Sequence, residues 1–147
     1  NGSELQKMLT GDIAGELFDF DLVTENQNQR LLLRAIQKGL VASAHDVSEG
    51  GLITTIADSC FGNGIGVKLT SEIPAADFFS ETQSRFVISV TPEYRADFES
   101  LMEPYATYLG QTTADDRLFV QTSDQTFDLP VSFAKQLWEG ALPCLLK

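Results

Sequence analysis

The sequence predicts an α+β domain with a mixed, largely antiparallel sheet covered by helices, and three observations carry that expectation. Stretches with apolar residues at helical spacing interleave with short runs that alternate or are wholly apolar. The last three such runs follow one another with only turns between them, as antiparallel strands do. And 147 residues at 43% hydrophobic content suffice for one core, so a single domain over 1–147 is expected.

The elements follow in order. Thr24-Glu25-Asn26-Gln27 fits a capping box, in which the threonine hydroxyl accepts from the Gln27 N–H and the glutamine reaches back. A helix then runs to about Lys38, with Leu32, Leu33 and Ile36 on its apolar side, and Gly39 stops it. Residues 40–44 are short and apolar and read as a strand, and 45–51 as a polar, glycine-bearing interruption. Leu52, Ile53, Ile56, Ala57, Cys60 and Phe61 repeat at helical spacing, so a helix runs up to Gly62.

Ile65, Val67 and Leu69 alternate with Gly64, Gly66 and Lys68, the pattern of a half-buried strand. The glycines at 62–66 are a turn and not a dinucleotide loop, because they leave a helix and enter a strand. Residues 71–80 read as a loop with Pro74, and 86–90 as a strand. Thr91-Pro92 places an N-cap before a proline at the first helical position, with Tyr94, Phe98, Leu101 and Met102 as the buried stripe. Strands at 108–112, 118–122 and 126–129 follow, the last two joined by a tight turn at 123–125. A final helix carries Phe133, Leu137 and Trp138 and ends at Gly140. Phe18, Phe20, Phe78, Phe79, Phe98 and Trp138 are assigned to packing, with an inter-domain face as the alternative for Phe78-Phe79.

Charge narrows the partners. Ten Lys and Arg stand against 21 Asp and Glu, a net charge of −11. With no basic cluster, neither a nucleic-acid backbone nor an anionic membrane surface is an expected partner. No apolar run approaches the roughly 20 residues of a membrane span, and the first residues lack the shape of a secretory signal, so a cytoplasmic location is expected. Two cysteines and one histidine cannot build a zinc site by themselves. Cys60 and Cys144 are expected as free thiols, a disulfide remaining the alternative.

Two polar stretches carry chemical information. In 43–52, SAHDVSEGGL, the one histidine sits beside an aspartate where a strand passes into a helix, followed by a serine, a carboxylate and two glycines. The backbone N–H groups of such a turn lie at the positive end of a helix and suit a phosphate. His45, Ser48, Gly50 and Gly51 are the candidate ligand contacts here, and Asp46 and Glu49 could hold Mg²⁺ bridging to phosphate. The same residues fit a purely structural turn equally well. The second stretch, Glu81-Thr82-Gln83-Ser84-Arg85, could contact a sugar, an amide or a phosphate through Glu81, Gln83, Ser84 and Arg85. It also fits a solvated loop with an internal ion pair. The chain supplies no complete catalytic set, so no catalytic residue is assigned.

SAHDVSEGGL resembles the glycine-rich signature in the C-terminal domain of the AIR-synthetase-related ATP-dependent enzymes. FSETQSRFVISV at 79–90, Gly39-Leu40-Val41 and LWEGALPCLLK at 137–147 are similar to the formylglycinamidine ribonucleotide synthetase branch of that family, the last to the end of its small form. The resemblance covers nearly the whole chain. It implies α/β/α layers, and a place as the last domain of a longer enzyme whose N-terminal domains hold the principal catalytic and nucleotide-binding residues. That enzyme uses ATP and Mg²⁺ to activate a formamide oxygen of a ribonucleotide as an iminophosphate, from which ammonia displaces phosphate. A separate glutaminase supplies the ammonia and a small accessory subunit completes the complex. His45, Asp46, Ser48, Gly50 and Gly51 match the signature turn, with Glu49 at a usually acidic position. Glu81, Gln83, Ser84 and Arg85 match a loop whose counterpart in the enzyme's first half is substrate-binding. The resemblance leaves open whether the turn faces the catalytic or the pseudo-equivalent site. Alone, the domain is expected to be inactive. The alternatives are a selenophosphate or aminoimidazole ribonucleotide synthetase, or a non-catalytic ligand-binding or assembly module.

Overall fold

A computed structural model describes residues 2–15, 20–62 and 64–145, with side chains placed as far as residue 141. Phe18 and the Cys144 side chain therefore lie outside the described residues. The architecture is α+β, with a two-stranded antiparallel sheet and a four-stranded mixed sheet. Contacts divide the chain into two compact units, 1–49 with 81–108, and 50–80 with 109–147.

The first unit opens with α1, Glu4–Thr10, which the apolar periodicity does not announce. Its signal is in the caps. The Ser3 hydroxyl accepts from the Gln6 N–H, and Gly11 closes the helix in the left-handed conformation. Helix α2, Leu22–Gln37, starts two residues before the expected capping box because Asp21 takes the cap. The Asp21 carboxylate accepts from the Val23 N–H at 2.9 Å and from the Thr24 hydroxyl at 2.6 Å, so Thr24 supports the cap without being it.

Gly39 does stop α2, by a full Schellman motif. At a φ of 71°, it donates its N–H to the Ile36 carbonyl, and the Leu40 N–H reaches the Ala35 carbonyl. That turn delivers Leu40 into a core of Leu32, Ala35, Leu40, Phe98 and Met102, flanked by Leu31, Val41, Phe86, Ile88, Val90 and Leu101. Leu33 and Ile36, expected on the apolar side, are instead exposed, because Leu32 and Ala35 face this core.

Strand β1, Ser43–Asp46, lies later than the expected 40–44, since Leu40 and Val41 are used in packing before pairing begins. It pairs antiparallel with β3, Phe86–Ser89, in the register His45 opposite Val87 and Asp46 opposite Phe86. The expected helix after Thr91 opens as a 3₁₀ turn, Pro92–Tyr94, and becomes α5, Arg95–Met102. Thr91 makes no side-chain cap, and Phe98 and Met102 are the buried residues of that helix.

The second unit holds α3, Gly51–Phe61, and β2, Gly66–Thr70, whose Val67 and Leu69 are buried while Lys68 is exposed. The expected loop at 71–80 contains a short helix, α4, Ala75–Phe78, entered from Pro74. Its first N–H, of Ala75, donates to the Asp124 carboxylate at 2.7 Å. Strands β4 (Gly110–Thr113), β5 (Leu118–Gln121) and β6 (Thr126–Leu129) complete the order β4-β2-β5-β6, in which only β2 and β5 are parallel. The β5–β6 turn closes through Thr122, whose N–H and hydroxyl both donate to the Gln125 carbonyl.

Phe78 is fully buried, and Phe79 meets Phe127 edge to face at 5.8 Å, so both pack inside this unit. Cys60 is a buried free thiol, and burial pushes it up from the ordinary thiol range. Helix α6, Val131–Leu145, continues through Gly140, where a stop is expected. Gly140 lacks the left-handed conformation with which glycine most often closes a helix, and the helix runs on. Phe20 and Trp138, assigned to packing, are exposed, as are Phe133 and Leu137 on the same final helix as Trp138. No helix among the described residues is long and apolar enough to cross a membrane.

Two glycines separate conformation from space. Gly39 has a positive φ and Gly62, at the end of α3, a φ of −72°, yet a Cβ would meet nothing within 4 Å at either position. Gly39→Ala is expected to cost about 1–2 kcal/mol. Gly62→Ala is expected to be neutral or to stabilise by up to about 1 kcal/mol. Urea unfolding of the two variants measures both.

Candidate functional site

The two polar stretches meet at one end of the β1–β3 ladder. Asp46 and Phe86 are the last paired residues, and the Val47 N–H donates to the Arg85 carbonyl at 2.9 Å, carrying the pairing one step further. Backbone hydrogen bonds therefore set 45–49 beside 81–85. The sequence held a signal for this: one stretch follows a strand, the other precedes one, and antiparallel pairing of those strands puts both at the same end.

His45 Nδ1 lies 2.7 Å from the Asp46 carbonyl oxygen. A carbonyl only accepts, so Nδ1 carries a proton in this contact. Asp46 is exposed, and its Oδ2 accepts from the Ser48 hydroxyl at 2.8 Å. That hydroxyl, then Asp46's own backbone N–H and the adjacent His45, hold the carboxyl below the usual aspartate range. Ser48 thus serves Asp46, as the donor that orients and stabilises its carboxylate. Glu49 is exposed on the next step of the chain.

In the facing stretch, Glu81 has a structural duty. Its Oε1 accepts at 3.0 Å from the backbone N–H of Glu4 in the first turn of α1, a carboxylate at the positive end of a helix. Ser84 is the single non-glycine residue with positive φ among the described residues, at 67°. That bend turns the chain so that the Arg85 Nε–H donates back to the Thr82 carbonyl at 3.4 Å, and Gln83 stands exposed at its tip. The loop is held in shape before any ligand arrives.

Gly50 and Gly51 belong by their contacts to the second unit. Both have positive φ, 81° and 72°, and Gly50 caps α3 with no side-chain hydrogen bond. A Cβ on Gly51 would lie 2.6 Å from the Phe79 carbonyl carbon and 2.7 Å from the Phe78 and Ser80 carbonyl oxygens. One on Gly50 would collide with the Thr54 side chain, whose hydroxyl donates to the Gly50 carbonyl at 3.0 Å. The glycine pair is accounted for by close packing at the start of α3, whatever else it does.

Two outcomes are expected. Gly51→Ala should lose at least about 2 kcal/mol of stability in urea unfolding, because left-handed strain and overlap with rigid backbone add. Asp46, followed by NMR, should titrate below an ordinary aspartate, and Ser48→Ala should raise its midpoint. A depressed folded pKa means that the stabilisation is present at neutral pH and lost as pH falls through that value, so Ser48→Ala should lower stability at neutral pH and leave it unchanged well below the titration.

Comparisons with known proteins agree with this architecture. Residues 7–123 match the family described as AIR synthase related protein, C-terminal domain. The phosphoribosylformylglycinamidine synthase subunit PurL of two Lactobacillus delbrueckii subsp. bulgaricus strains is 51% identical over 146 residues, covering 99% of this chain and 20% of each relative. The chain thus spans about one fifth of the length of the curated relatives it matches. Among solved structures, Thermotoga maritima PurL complexed with ATP superposes with a TM-score of 0.72 at 16% identity, over 82% of this chain and 23% of that one. The same protein complexed with FGAR gives 0.69 over 79% and 21%, and the T. maritima PurLQS structure gives 0.69 over 85% and 23%, again at 16% identity. These likenesses show a shared fold. With most of its length matched by the family model, the chain belongs to the AIR synthase related protein, C-terminal domain family.

Proposed function

We propose that this chain is the last α+β domain of a longer phosphoribosylformylglycinamidine synthase. The observation that carries this is the 51% identity over 146 of its residues to PurL subunits. It favours that ligase over a selenophosphate or aminoimidazole ribonucleotide synthetase, and over a free-standing module. The activity is the ATP-dependent conversion of formylglycinamide ribonucleotide to the formylglycinamidine, with ammonia from glutamine. Its partners are the remaining domains of the polypeptide, a glutaminase and a small accessory subunit, and its location is the cytoplasm.

In this reading the ladder end formed by His45, Asp46, Ser48 and Glu49 with Gln83, Ser84 and Arg85 meets a phosphate-bearing ligand. The chain's net charge of −11 means that phosphate cannot be drawn by a general positive field. Backbone N–H groups and the Arg85 guanidinium of this unit are the donors proposed for it, and a cation does the rest; the candidate contacts Gly50 and Gly51 belong to the second unit. Among the described residues no three His, Cys, Asp or Glu side chains converge on a metal position. Two carboxylates, Asp46 and Glu49, fit Mg²⁺ nonetheless, because that ion keeps several waters and takes phosphate oxygens as further ligands. Bound there, it would neutralise phosphate charge, the main electrostatic demand of phosphoryl transfer. Asp46 suits such a role because Ser48 holds it ionised and oriented. Glu81, already capping α1, positions the loop.

The 147-residue chain alone is expected to show no ammonia- and ATP-dependent amidation, while the polypeptide encoded by the full gene shows it. Turnover by the short chain would overturn this assignment. In the longer polypeptide Asp46→Ala should weaken Mg-nucleotide binding about tenfold or more by calorimetry, the loss of one charged ligand contact. Unchanged binding would return the turn to a structural role.

A further inference from the structure

The loop at 81–85 is fixed at both ends. At one end the Val47 N–H donates to the Arg85 carbonyl at 2.9 Å and continues the β1–β3 ladder. At the other, the Glu81 carboxylate accepts at 3.0 Å from the backbone N–H of Glu4, 77 positions away in the first turn of α1. Between the two lies Ser84 at a φ of 67°, beside the exposed Gln83. A non-glycine residue in that conformation costs free energy, and it persists only where the surroundings over-determine the backbone. The ladder supplies one constraint and α1 the other.

Helix α1 is weakly held in return. It has seven residues and none of them is buried, whereas an isolated helix needs roughly 12 residues to be even marginally stable. Met8 and Leu9 are 81% and 77% exposed. Its start is nevertheless well specified. Ser3 is buried and its hydroxyl accepts from the Gln6 N–H at 3.2 Å, while Gln6 Oε1 accepts from the Gly2 N–H at 2.6 Å. Glu81 adds a carboxylate at the positive end of this helix, through a charge-assisted hydrogen bond. A helix with so little apolar burial that rests on such a bond sits at the low end of local stability.

We propose that α1 is a strap on the ligand loop. Docked through Glu81, it holds 81–85 in the strained form that presents Gln83 and Ser84 to the phosphate-bearing ligand. Undocked, it lets Ser84 relax to negative φ, and the loop loses that form. Glu81 is then a positioning residue that acts through the backbone of its own loop and makes no contact with the ligand. This rests on the reading of the ladder end as the ligand site of a longer ligase.

Hydrogen exchange of the full encoded polypeptide, read by mass spectrometry, tests the strap. Ser3→Ala weakens α1 from its far side, and should speed exchange of the 82–85 amides about threefold or more, the equilibrium factor of a lost helix cap. Unchanged exchange there overturns the proposal. Glu81→Ala should speed exchange in both α1 and 82–85 by about tenfold, and Glu81→Gln, which keeps an acceptor and loses the charge, should restore most of the protection. Calorimetry with Mg-ADP separates positioning from contact. Ser3→Ala should raise the Kd about threefold when Glu81 is present and leave it unchanged in the Glu81→Ala background. An equal rise in both backgrounds overturns the strap. So does a Glu81→Ala protein that binds more weakly while α1 stays protected, since Glu81 then meets the ligand itself. A wild-type polypeptide that binds no Mg-ADP overturns the ligand-site reading and this proposal together, whereas failed coupling in one that binds it overturns the strap alone.

Discussion

Everything proposed for the polar site depends on the short antiparallel ladder between β1 and β3. Four residue pairs, extended by the Val47–Arg85 hydrogen bond, hold two segments that are far apart in sequence at one edge. Without that pairing, 45–49 and 81–85 are two ordinary polar loops. The ladder is anchored from behind, since Phe86 and Ile88 pack on the core that Leu32, Ala35 and Leu40 build. A turn at the end of α2 thus fixes the strand that fixes the site. The chain of dependence runs from one glycine's φ to the position of a carboxylate.

Electrostatics gives that edge its character. An acidic chain can attract phosphate only through groups that act at short range, and the ladder end gathers such groups. His45 is oriented by a backbone carbonyl, the Asp46 carboxyl is held below the usual aspartate range first by a serine hydroxyl, and Arg85 is held by its own loop. The carboxylates are a liability toward an anion and an asset toward a cation. Ser84, forced to a positive φ, stores a small strain in the same place, and such strain persists where the surrounding hydrogen bonds over-determine the backbone.

Much of this was legible in the residues, and the gaps have physical causes. Alternation announced β2, and glycine at the end of an apolar period announced the end of α2, because in both cases the local signal and the tertiary environment agree. Helix α1 escaped notice because none of its residues is buried, so periodicity had nothing to report, although Ser3 and Gly11 marked both of its ends. Trp138 is assigned to packing from the sequence and is exposed, because composition and spacing reveal that a helix carries large apolar residues but not what each of them meets. The two polar clusters could be picked out in the sequence as candidates. Their adjacency could not, because it follows from strand pairing, a non-local fact. Gly51 shows the reverse case, where a residue attractive for phosphate binding turns out to be demanded by the backbone of Phe78–Ser80.

The division of the chain into two units also governs the order in which it can fold. Each unit is built from two separated stretches, and the stretches interleave. β1 waits for β3, more than forty residues later, and β2 waits longer still for its neighbours β4 and β5. Only the β5–β6 hairpin is local. When residues 1–80 of this chain have been synthesised, helices and unpaired strand edges are present, but no sheet. The first unit can close once β3 and α5 have followed, whereas β2 must stay soluble and unpaired until residues 110–121 emerge.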